Sequence, residues 1–346
     1  MFFVNINDTL SISNRQMIHY QRPLINDRER DIYMVANYVL VTAAISLFGV
    51  VANIINIRVF FKQGFSSTVN ITFFAIAISD LGSLLGLLWG GVCVNPLFVY
   101  SDAVIVPLEI LYLTSGIPHI CFVRITGWLT VFITAERCLC IISPLKIKQL
   151  ITPKVTMATV SSIYIAIMLS FVPEFEIAYF DWKFYPHKNR TLLGLMFTSK
   201  KSSNEGIVFF LYSVLGTVSF VAVIIFTIIL VQQLKQKSKW RKKANIERGL
   251  SESMSSRDRK TMNMVVLIAI VLIVCYIPGV AVSLTTFSMV EFRIFGREVN
   301  LFYVAWTFAF IFEAINASIN IFVYYKMSSK YRETFCDMFR ITASYK

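Results

Sequence analysis

Seven apolar stretches, at residues 33–61, 69–94, 104–140, 152–173, 206–233, 261–288 and 299–326, fill most of this chain. Each exceeds the roughly 20 residues that a helix needs to cross the hydrocarbon core of a bilayer. A chain with 56% apolar, 14% aromatic and only 15% charged residues cannot hide its apolar surface in an ordinary water-soluble core. The fold class that follows is an all-α membrane protein, a seven-transmembrane helix bundle. It divides the chain into an amino-terminal tail (1–32), the bundle (33–326) and a carboxyl-terminal segment (327–346).

Charge orients the bundle. With the first tail outside, the inner side carries 21 Lys and Arg against 6 Asp and Glu, and the outer side 11 against 12. Lys and Arg resist translocation and favour the anionic inner leaflet. The expected location is therefore a plasma membrane crossed seven times, with an extracellular amino terminus and a cytoplasmic carboxyl terminus. The same rule accounts for the ten basic residues between 232 and 262 without nucleic acid, for which no groove-reading or stacking module is present.

Enzymatic signatures are missing. There is no CxxC, HExxH, GxSxG or Walker-type loop, and His19, His119 and His187 are scattered. The six cysteines lie in spans or on the reducing side, with only Cys93 near the outer surface, so neither a disulfide nor a metal set is expected. The basic segment 234–260 reads equally as a helix extension held at acidic lipid or as a contact for a cytosolic partner. The longest outer loop, 174–205, holds the glycosylation sequon at Asn189, and the outer tail holds another at Asn7.

Polar residues inside the spans carry the functional signal, because an ionisable group in hydrocarbon costs several kcal/mol unless it is compensated. Asp80 lies mid-span in AIAISDLGSLLG and Asn53 in GVVAN, while Asn316 and Asn320 are four apart on one face of the seventh span. A bundle that gathers them holds either a small cation such as sodium or a hydrogen-bonded packing network with no ion.

At the inner end of the third span stands Glu136-Arg137-Cys138, and here the chain resembles the rhodopsin-like (class A) G-protein-coupled receptors. Six pieces carry the resemblance in register: GVVAN, AIAISD, ERC, CYIP, NIFVY and SSKYRETFC. It implies that Arg137 is a switch arginine paired with Glu136 and with Asp258, that Pro278 is the hinge of the sixth helix, and that Tyr324 turns inward in the active state. It implies a sodium pocket of Asp80, Thr126, Asn316 and Asn320, the only cofactor expected, a short amphipathic helix at 328–340 along the inner leaflet within the cytoplasmic segment 327–346, and Cys336 as a palmitoylation candidate. It implies an extracellular ligand, a heterotrimeric G protein, arrestin and membrane lipid as partners.

Departures from that family stand out. Ile321, Tyr276 and Ile163 replace an expected proline and two tryptophans. Tyr112 stands where the third helix usually has a cysteine, and 174–205 has no cysteine to meet it. The loop is then expected to be less constrained and a poor fixed lid. Such losses resemble divergent invertebrate receptors, including molluscan chemosensory and neuropeptide types.

His119 and Thr126 are seven apart and share a helical face, and Glu313 lies three and seven residues before Asn316 and Asn320. His119 and Glu313 therefore flank one cavity, either as a ligand pocket with Tyr276 on its wall and floor or as a structural hydrogen bond. Arg124, about 200° around the helix from Thr126, faces the fourth or fifth helix, where its partner is either an anionic ligand group or backbone carbonyls. The leading function is a receptor that activates a G protein by outward movement of its sixth helix. The alternative is a secondary transporter or ion-conducting protein.

Overall fold

The computed structural model describes residues 23–143, 147, 149–198, 201–247, 256–293 and 296–340. Among the described residues seven helices are long and apolar enough to cross a membrane. They are α1 (Asp27–Gln63), α2 (Thr68–Val94), α3 (Pro107–Ile142), α4 (Pro153–Ile177, with a turn at Phe171), α5 (Lys201–Glu247), α6 (Ser256–Ser288) and α7 (Val299–Met327). An eighth, α8 (Ser329–Phe339), follows at once.

Local chemistry sets their ends. α1 begins at Asp27 rather than at 33 because Asn26 and Glu29 form a reciprocal capping box, each side chain accepting the other's backbone N–H at 2.9 Å. α3 opens on Pro107, whose missing N–H costs nothing at a first helical turn. α1 stops at Gly64, which has φ 77°, a conformation that side chains disfavour. Ser328 caps α8 by accepting from the N–H of Tyr331 at 3.2 Å. Met34–Thr42 of α1 and Tyr112–Gly116 of α3 wind as π-helix.

The bundle is apolar on its outside, and its mostly apolar interior also takes in polar side chains. Val214, Val218, Val221, Ile225 and Ile228 repeat along one exposed face of α5, and Leu40, Leu47, Val51 and Ile54 do so on α1. The buried set instead includes Ser46, Asn53, Asn56, Asp80, Thr126, Thr130, Thr134, Asn316 and Asn320. α3 is central, packing on α2, α4, α5 and α6, while α7 packs on α1, α2 and α6. Gly49 lets α1 approach closely: a Cβ there would collide with Ser318 Oγ and lie 2.7 Å from Leu84 Cδ1. Gly49→Val is expected to destabilise the bundle by about 1–3 kcal/mol through overpacking, read as a lower melting temperature of the purified protein and a smaller cell-surface fraction.

Residues 174–198 are more ordered than the lack of a cysteine suggests. α4 runs on to Ile177, and β1 (Ala178–Tyr185) pairs antiparallel with β2 (Arg190–Phe197) from Ala178↔Phe197 to Tyr185↔Arg190. Asn189 sits exposed in the turn with φ 48°, a left-handed conformation that Asn tolerates better than most residues. Asn7 lies outside the described residues.

The approach to α1 is bound to α7. Arg30, 3% exposed, donates to Asn300 Oδ1 at 2.7 Å and pairs with Asp27 and Asp31. At the other end α8 packs on α1, with Tyr331 fully buried 5.5 Å from Phe60. Cys336 is buried at 4% exposure on the same helix. This differs from the accessible thiol that acylation requires, because the face of α8 that carries Tyr331 and Cys336 turns inward onto the bundle.

Candidate functional site

Three polar layers lie along the inside of the bundle. In the layer nearest the hairpin, His119 of α3 and Glu313 of α7 meet, Nε2 to Oε2, at 2.8 Å. The other ring nitrogen, Nδ1, is 3.0 Å from the backbone oxygen of Ser83 on α2. A carbonyl can only accept, so Nδ1 donates to it. One further proton must then lie between Nε2 and the carboxylate oxygen, and the pair as a whole is neutral. The edge of the His119 ring meets Phe310 at 5.5 Å. Glu313 Oε1 reaches towards α6, where a Cβ on Gly279 would lie only 3.2 Å away. This contact falls on the residue after Pro278, the one proline inside α6.

The middle layer centres on Asp80. Thr126 donates to Oδ1 at 2.9 Å and Asn320 to Oδ2 at 2.8 Å, joining α2, α3 and α7. Ser79 Oγ lies 2.7 Å from Thr126 Oγ1. Asn316 is buried one turn away, and among the described residues no hydrogen bond joins it to Asp80. Asn53 donates to the carbonyl of Ala317 at 2.7 Å and accepts from Asn56, which in turn accepts from the Tyr331 hydroxyl at 2.6 Å. This chain ties α8 to the interior.

In the third layer Arg137 pairs with Glu136, and both reach Thr68 at the start of α2. The Thr68 hydroxyl donates to Glu136 Oε1 at 2.6 Å. The Glu136 side chain is 2% exposed and that of Arg137 13%, so the pair is largely sheltered. Tyr324 packs against Phe60, Phe73 and Tyr331 with ring centroids 5.0, 4.9 and 5.6 Å away, and its buried hydroxyl has no protein partner. The side chain of Asp258 lies outside the described ones.

A profile of the serpentine type 7TM GPCR chemoreceptor Srw family matches residues 40–342. The chain belongs to this family. A search of characterised proteins gives no significant match. The matched stretch runs from within α1 to the end of α8, so all three layers of this Srw chemoreceptor fall inside it. Membership makes the chain a multi-pass GPCR-type chemoreceptor, from a family that is generally non-enzymatic.

Of the residues expected at the ligand pocket of this Srw receptor, His119 and Glu313 are joined. Tyr276 is nearby but occupied: its hydroxyl donates to the Val123 carbonyl at 2.9 Å, binding α6 to α3. Arg124 points towards α5, one of the two helices expected, and its guanidinium fills the space that a Cβ on Gly216 would take. Sequence reading missed Gly216, because the pairing exists only across two helices. It also missed Tyr164, whose hydroxyl ties α4 to the Ala75 carbonyl of α2 at 2.7 Å. Gly216→Leu is expected to push Arg124 aside and destabilise the protein by about 1–3 kcal/mol. The double variant Gly216→Leu/Arg124→Ala should recover much of that loss in thermal melting, since contacting sites are not additive.

Proposed function

We propose that this chain is a plasma-membrane chemoreceptor of rhodopsin-like mechanism, with its amino terminus outside and its carboxyl terminus in the cytosol. An extracellular chemosensory cue or neuropeptide binds in the bundle beside Arg124, Tyr276 and the His119–Glu313 pair. Binding favours a conformation in which the inner half of α6 swings outward about Pro278 and a heterotrimeric G protein engages Arg137.

The contact of Glu313 with Gly279 carries the reading. It sets a buried ionisable pair directly against the residue after the proline, where the helix lacks one backbone hydrogen bond and bends most easily. A ligand that alters the pairing of Glu313 thereby has unequal contact energy with the straight and bent forms of α6, which is what a population shift requires. At the other end the Glu136–Arg137–Thr68 contacts hold α3 to α2 in the resting form.

A sodium ion would be held by the Asp80 carboxylate, the Thr126 hydroxyl and the amide oxygens of Asn320 and Asn316, with the Asn320 amide turned over from the Nδ2 donor it presents to Oδ2, and would favour the resting bundle. α8 lies along the inner leaflet, and arrestin is a second partner for the opened cytosolic face. Acylation of Cys336 would need α8 to lift from α1. The glycosylated positions are Asn189 and Asn7, on the outer side.

The test is recruitment of a miniature G protein in cells that display the chain and are exposed to a chemical and peptide library, compared with an Arg137→Ala variant. Library-dependent recruitment that disappears in the variant supports the reading. Net uptake of a library compound without recruitment overturns it in favour of a secondary transporter.

A further inference from the structure

The hairpin has no cysteine, and all six cysteines of the chain are free, yet it is not loose. Its strand β2 continues onto the segment that leads into α3: Val106 donates to the Leu193 carbonyl at 2.9 Å, and Leu193 donates to the Val104 carbonyl at 2.8 Å. Just beyond, the Glu109 carboxylate gathers the hairpin from both strands. Its Oε2 accepts from the backbone N–H of Leu195 on β2 and from the Tyr185 hydroxyl on β1, each at 2.8 Å. Lys183 approaches Oε1 at 3.4 Å and stands 4.8 Å above the Tyr185 ring.

Gly194 makes the approach possible. A Cβ there would collide with the Tyr185 hydroxyl and crowd Glu109 Oε2. Three residues along α3, Tyr112 donates to Glu174 Oε2 at 2.8 Å, so the same end of α3 also holds the end of α4. Burial and the neighbouring Glu109 raise the Tyr185 pKa above its ordinary value, which keeps the hydroxyl a donor at physiological pH.

We propose that Glu109 is a noncovalent clamp that takes the place of a disulfide, positioning the hairpin against the head of α3 as a fixed wall of the outer mouth. A carboxylate with three donors, two of them on opposite strands, suits this role because charge-assisted hydrogen bonds are roughly twice as strong as neutral ones. The role as a wall of the mouth rests on the receptor reading and its orientation. The clamp itself is measurable without ligand or G protein.

The experiment is hydrogen exchange of the full chain in lipid nanodiscs, followed by mass spectrometry. Glu109→Ala is expected to speed exchange across residues 178–197 at least tenfold while α1 to α7 keep their protection. Glu109→Gln, which keeps one acceptor oxygen and loses the charge, should fall between wild type and Glu109→Ala. Gly194→Ala, which changes no charge, should also release the hairpin.

A cross-link between Ile105→Cys and Leu193→Cys, which occupy facing positions in the parallel bridge, should restore slow exchange in the Glu109→Ala background. Unchanged hairpin exchange in Glu109→Ala overturns the clamp, as does equal loss of protection in all seven helices. Failure of G-protein recruitment would refute the receptor reading and leave these exchange results standing.

Discussion

Arg137→Ala is expected to lose at least nine-tenths of agonist-stimulated guanine-nucleotide exchange while the receptor still reaches the cell surface. Arg137 donates through Nη2 to Glu136 on its own helix and to Thr68 on α2, while its buried Nε has no hydrogen-bond partner among the described residues, and little of the side chain is exposed. Those contacts tie α3 to α2 and do not join α3 to α6 among the described side chains. In the proposed receptor reading an outward swing of α6 uncovers the arginine, and its contacts with Glu136 and Thr68 are not made to α6.

Glu136 supplies the complementary variant. Glu136→Gln removes the charge that holds the arginine back but keeps an acceptor for Thr68, so basal exchange should rise. A coupling of about 1–3 kcal/mol, usual for such switches, corresponds to roughly 5–150-fold in the resting–active equilibrium. Both variants are read as nucleotide exchange per surface receptor, counted with an epitope tag at the amino terminus. Undiminished exchange in Arg137→Ala, with unaltered basal exchange in Glu136→Gln, would leave the Arg137 layer as packing alone.

Much of this bundle is written locally, and that part can be read from sequence. Span position depends on runs of apolar residues, and the helical period carries His119, Thr126, Glu313 and Asn320 onto faces that meet in space. Asn316 shares the face of Asn320 but falls one turn along and makes no hydrogen bond to Asp80 among the described residues, a difference that periodicity alone does not resolve.

The missing cysteine pair suggests a loose loop, and the true anchors of the hairpin are hidden from sequence because they are remote: Glu109 is 76 residues from Tyr185 and 86 from Leu195. Nothing within 174–205 announces a carboxylate waiting on α3. The early start of α1 was legible in principle, since Asn26 and Glu29 have the spacing of a capping box. The burial of Cys336 was not, because it depends on which face of α8 turns towards α1.

Glu313→Ala is expected to destabilise the receptor by about 3 kcal/mol, and Glu313→Gln by far less. The reason is the proton count at the His119 layer. Nδ1 is committed to the Ser83 carbonyl, so Nε2 can bond an acceptor only if the ring is charged. Alanine at 313 leaves a buried ring nitrogen with no partner, and breaking a buried pair by removing one member costs about 3–5 kcal/mol. A Gln amide instead donates to the Nε2 of a neutral ring and keeps the layer joined.

Glu313→Gln therefore separates two roles that alanine confounds. Thermal melting should show it near wild type. If the carboxylate charge takes part in sensing the ligand and in its contact with α6 at Gly279, agonist potency in the same variant should fall at least tenfold. His119→Ala/Glu313→Ala should lose about 0.5–3 kcal/mol less than its two single variants together, the coupling usual for residues in contact. Full agonist potency in Glu313→Gln would assign the pair to holding α3 and α7 together and move the ligand to Arg124 and the α5 side of the bundle.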